Sequence, residues 1–145
     1  MKINFTKKQY RLLLDLVYIG RFVINGIRTS DQILEEYEEI QQYVYSFAKK
    51  MGCGDLVEYN RESNMFYETN ELDNMVMEQF IEEHDAEVFW TELATGLAER
   101  DVMKGSTGKD EIKPEELIMK IWAREEEYNE EFYENGLDNV KVDMK

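Results

Sequence analysis

One proline in 145 residues, Pro114, and only eight glycines leave few points at which the backbone is forced out of a helix. The strong helix formers Ala, Leu, Glu, Lys, Gln and Met are plentiful, so the chain reads as all-α. The length allows one core and does not call for metal or disulfide staples. The expectation is a single domain over residues 1–145: a bundle of four to five helices around a mostly buried N-terminal helix, with a frayed tail from about residue 137.

Local signals place the elements. Thr6-Lys7-Lys8-Gln9 is a capping box, with Phe5 free to staple to Tyr10, so a first helix starts there. From Tyr10 to Ile27 apolar residues leave only a narrow polar strip, the pattern of a helix enclosed by others. Thr29-Ser30-Asp31-Gln32 offers a second capping box. After it Ile33, Tyr37, Ile40, Val44, Phe47 and Met51 follow at steps of four and three, a helical seam expected to pack on helix one, with Lys49 and Lys50 suiting the last turn. Gly52 and Gly54 end it. Residues 55–69 lack periodicity and form the longest connection, with a short extended piece at Met65-Phe66-Tyr67. Asn70 caps a helix carrying Leu72, Val76 and Phe80. A break at His84-Asp85, where Asp85 is a better cap than interior residue, starts the next, which presents Phe89, Trp90, Leu93, Ala94, Leu97 and Ala98. Gly105-Ser106-Thr107-Gly108 is a loop, Pro114 opens a final helix carrying Ile118, Ile121, Trp122, Tyr128 and Phe132, and that helix ends near Gly136.

Charge narrows function. Acids outnumber bases 32 to 17, a formal charge of -15 that repels phosphate backbones and anionic lipid alike, so direct nucleic-acid or membrane-surface binding is disfavoured. The longest apolar stretch, Leu12 to Ile27, is broken by Asp15, Arg21 and Asn25, too short for a membrane span. The N-terminus does not read as a secretory signal, and the lone Cys53 fits a reducing cytosol, giving a cytoplasmic expectation. The charge is also uneven. Residues 1–28 carry six cations against Asp15, a net of +5, so the remainder carries -20. Between Arg61 and Arg100 there are eleven acids and no Lys or Arg. These are either solvated faces or a surface for a basic protein partner, with Glu78, Glu82, Glu83, His84 and Glu87 as the interaction candidates. An exposed seam would also permit a homo-oligomer.

Catalytic constellations are few. Cys53 lies past a helix C-terminus, the wrong dipole end for a reactive thiolate. His84, flanked by carboxylates, could serve as a proton switch, but one histidine defeats di-iron and zincin pairs and leaves a Ser or Cys nucleophile almost no base. Gly105 to Lys109 lacks the first glycine of a phosphate loop, where Met103 stands, and its Ser or Thr, replaced by Asp110. Glu35-Glu36-x-x-Glu39 with Glu82-x-x-Asp85 resembles the acidic pairs of all-α nucleotide pyrophosphohydrolases. The resemblance implies a Mg²⁺-dependent hydrolase whose hard oxygen ligands are Glu35, Glu36, Glu39, Glu82 and Asp85. A cap at Asp85 would break the continuous helix that the second pair needs. Phe89-Trp90-x-x-Leu93-x-x-x-Leu97-Ala98-x-Arg100-Asp101, in which Trp90, Leu93, Ala94, Leu97 and Asp101 share a face, is similar over about twenty residues to a group of small helical bacterial proteins. That resemblance implies a bacterial cytosolic origin and no activity. The leading expectation is a non-enzymatic protein-interaction module without a cofactor; the alternative is the Mg²⁺-dependent enzyme.

Overall fold

A computed structural model describes residues 2–105 and 113–142, and these are mainly helical, with a two-stranded hairpin. In order they form α1 (Lys7–Asn25), α2 (Glu35–Tyr45), α3 (Ala48–Met51), β1 (Val57–Asn60), β2 (Met65–Glu68), α4 (Asn70–Val76), a π-helical segment (Met77–Ile81), α5 (Glu82–Gly105) and α6 (Pro114–Asn135). Two compact units make up the chain, Met1–Glu83 and His84–Lys145. No helix among the described residues is long and apolar enough to cross a membrane.

In the first unit α1 starts at the expected capping box: Thr6 Oγ1 accepts from the Gln9 amide and the Gln9 side chain accepts from Thr6 N–H. Its core stripe is Tyr10, Leu14, Tyr18 and Asn25, while Leu12, Leu16 and Val23 are exposed, so α1 is enclosed on one side rather than on most. α2 runs antiparallel beside it. Tyr10 donates to the Val44 carbonyl at 2.6 Å, Arg21 pairs with Glu38 at 2.9 Å, and Asn25 bonds both the N–H and C=O of Leu34. This last bracket fixes the start of α2, which has no side-chain cap. The expected capping box at Thr29 is instead an exposed turn, and Glu35, Glu36 and Glu38 supply the negative charge its N-terminus favours.

The expected seam packs on the core only through Val44 and Met51, which are partly buried there. α2 and α3 bury Gln41, Tyr45 and Ala48, whereas Tyr37, Ile40 and Phe47 of the seam are exposed. Sequence spacing alone cannot say which of two apolar stripes a helix turns inward. Gly52 ends α3 with φ +81°, a left-handed conformation that favours glycine, and the Lys7 side chain lies over it.

The connection after α3 is a hairpin. Tyr59 pairs with Phe66 and Val57 with Glu68 in antiparallel register. The piece at Met65–Tyr67 is extended as expected, but its partner strand was not anticipated. Asn60 Oδ1 accepts from the amides of Glu62 and Ser63, and Asn64 takes φ +56°, which together close the turn. The outer edge of β2 is satisfied by Gln42, whose amide donates to the Phe66 carbonyl at 2.8 Å and accepts from its N–H at 2.7 Å.

α4 buries Leu72 and Val76 completely, but Phe80 is exposed and Ile81 takes its place in the core. The π turn over Met77–Ile81 holds one residue more than an α turn, so the residue five on from Val76, not four, meets the stripe. Helix then continues through His84 and Asp85; the expected break there is absent and Asp85 caps nothing. The π insertion absorbs the phase change that a break would have supplied. Thr69, not Asn70, is the residue preceding α4.

The second unit is an antiparallel pair. Trp90, Leu93, Ala94, Leu97, Ala98 and Asp101 form the inner face of α5 against Tyr128 and Phe132 of α6, whereas Phe89, expected beside them, is 49% exposed. Pro114 is the first residue of α6, and Gly136, at φ +57°, follows its end. Ile118 and Trp122 point outward, not to the core. The chain beyond α6 is held by a turn, with Asn139 donating to Glu131 at 2.6 Å. The predicted loop at residues 106–108 and the last three tail residues lie outside the described set.

Candidate functional site

The carboxylates expected to hold Mg²⁺ do not assemble. Glu35, Glu36 and Glu39 are exposed on α2, and Glu82 and Asp85 are exposed on α5. Among the described residues no three His, Cys, Asp or Glu gather into a group that could hold a metal ion. Glu38, between the two halves of the α2 pattern, turns inward to Arg21 and Asn25. His84 is exposed and its Nδ1 lies 3.1 Å from Asp85 Oδ1. Cys53 is buried and its thiol is pushed up by that burial, as suits a packing residue.

The interaction candidates Glu78, Glu82, Glu83, His84 and Glu87 are all exposed, on the π segment and the first turns of α5. Of these, Glu87 joins a concave feature. With Trp90 and Thr91 it faces Asn129, Phe132 and Tyr133 across an open cleft of about 520 Å³.

The frame of this unit is polar at one end and aromatic at the other. Asp101 accepts from Tyr128 OH at 2.5 Å, from Arg100 at 2.7 and 2.9 Å, and from Arg124 at 3.2 Å. The Tyr128 hydrogen bond first, then Arg100, hold the Asp101 carboxyl well below the usual range, and the same bond pushes the Tyr128 phenol up. The Arg124 guanidinium sits 4.9 Å from the Tyr128 ring centre, Tyr128 stacks on Phe132, and Phe132 meets Trp90 at 5.5 Å. Thr95 donates to Glu125 between these ends. Asp101, Arg124 and Tyr128 thus fix the rotation of α6 about its axis.

That rotation sets what faces outward. Glu115, Met119, Trp122, Glu126, Asn129 and Tyr133 follow at steps of four and three along α6 and are all exposed, with Ile118 and Glu130 beside them. Trp122 is 65% exposed and Tyr133 92%, on a face where acids alternate with large apolar side chains. The sequence identified Ile118 and Trp122 as apolar but placed them inside. The signal that separates the stripes is Arg124 with Tyr128 one turn later, a polar pair whose partner, Asp101, lies on the inner face of α5. Compared with known protein families, curated proteins and solved structures, the chain finds no match.

Proposed function

We propose that the chain is a non-enzymatic interaction module of the bacterial cytosol, and that the outward face of α6 binds a basic, amphipathic segment of a partner protein. The observation that carries this reading is the run Glu115, Met119, Trp122, Glu126, Asn129, Tyr133, a single exposed helical face that combines aromatic and aliphatic anchors with carboxylates. Buried aromatics supply most of the affinity at protein interfaces, and complementary charge around them speeds encounter and selects partners. Eight glutamates on α6 against Lys120 and Arg124 favour a cationic partner. The cleft between Glu87 and Tyr133 extends the face at one end.

Isothermal titration with a synthetic helical peptide of alternating lysine and leucine faces tests it. Binding is expected at low ionic strength, weakening steeply with salt, and Trp122→Ala or Glu126→Lys should lower affinity about tenfold. Absence of binding at low salt, or binding indifferent to both substitutions, removes the reading.

A further inference from the structure

The first unit carries a second unpartnered face, and its charges are arranged to meet themselves. Because α2 turns Gln41 and Tyr45 inward, as α3 does Ala48, Ile40 is 56% and Tyr43 69% exposed on the other side of α2, with Phe47 beside them in the turn that follows. Tyr43 and Phe47 stack edge to face at 5.1 Å. They form one wall of a half-open apolar cleft of about 290 Å³, walled opposite by Phe5 and Leu13, with Lys50 as its charged lining residue. Glu36 and Tyr43 lie on α2 and Lys50 on α3 just past the Ser46–Phe47 turn, each seven residues from the next, so along the chain Tyr43 stands midway between an exposed acid and an exposed base. Neither charge has an ion-pair partner among the described residues.

We propose that this face pairs with a second copy of the chain, the two α2 helices running antiparallel about a two-fold axis at Tyr43. Such an axis maps each residue before Tyr43 onto one after it, so Glu36 of each copy meets Lys50 of the other, and one ion pair is made twice. The two Tyr43 rings meet at the axis, each at the border of its own cleft, and Ile40 is covered. The occupant follows from charge. A molecule of net charge -15 repels its own copies, and association needs a face where both signs occur in an order that a two-fold axis makes complementary. The α2–α3 stripe has that order. The outward face of α6, with acids along its length, does not, so this pairing is independent of the partner face proposed above.

Sedimentation and light scattering of the full chain from about 10 µM to about 1 mM test it. The expected mass rises from 17.3 kDa toward twice that value. Glu36→Lys and Lys50→Glu should each weaken association at least about tenfold, since each sets like charges opposite one another at both ends, and the double exchange E36K/K50E should restore it. Tyr43→Glu should leave a monomer. Far-UV circular dichroism and melting of each variant separate lost pairing from lost folding, because all three positions are exposed. A monomer throughout this range, single exchanges without effect, or a double exchange that fails to rescue would overturn the proposal.

Discussion

Asp101 illustrates how much one side chain organises in a unit of two helices. Its carboxylate receives a phenol and two guanidinium groups, and these determine which side of α6 turns inward. Since Asp101 is held below its ordinary range in the folded chain, its contribution is complete above the unfolded value of about 3.9 and is lost as pH falls through that value toward the folded one. Asp101→Asn should therefore lower the melting midpoint at pH 7, and the gap between variant and parent should begin to narrow only as pH falls below about 4; a gap independent of pH would count against an ionic role. In the first unit Tyr10 and Tyr18 make comparable commitments. Burial, with Cys53 nearby, pushes the Tyr10 phenol up to about 12, and burial together with the bond to Asp73 raises Tyr18 as well. The sequence placed Asp101 on the inner face of α5 but not these pairings, because Asp101 and Arg124 are 23 positions apart and Tyr18 and Asp73 are 55 apart. Thr6 and Gln9, three positions apart, were read correctly, since a capping box is local.

Elements were readable in proportion to how far neighbouring residues alone decide them. The start of α1, the opening of α6 at Pro114 and the glycines after α3 and α6 all follow from backbone chemistry. The hairpin was half legible, because a four-residue strand such as Val57–Asn60 shows too little alternation to stand apart from a loop. The π segment was invisible, since its extra residue is justified only by where Ile81 lands. Deleting the exposed Gln79 should convert it to an α turn that keeps Ile81 in line with Leu72 and Val76. The melting midpoint is then expected to stay within about 4 °C of the parent, and a collapse of stability would show that the core depends on the wider turn. The break expected at His84-Asp85 failed for a related reason: a good capping residue starts a helix only where the chain reverses, and here the helix runs on.

The molecule as a whole carries more negative charge than its packing needs. Self-repulsion among fifteen excess charges opposes compaction, so screening should help. Raising ionic strength from about 0.01 M to about 0.15 M is expected to raise the melting midpoint, and a flat or falling midpoint in calorimetry would show that the carboxylates are not a burden. By itself the sequence determined the helical class, the starts of α1 and α6, the glycines after α3 and α6, and the acidic excess, because propensity, capping and charge are properties of residues and their near neighbours. Tertiary structure decided which stripe of each helix faces the core. An amphipathic pattern with two apolar stripes is satisfied equally by either rotation, and only contacts between distant segments, Gln42 with Phe66 or Asp101 with Tyr128, choose one and leave the other in solvent.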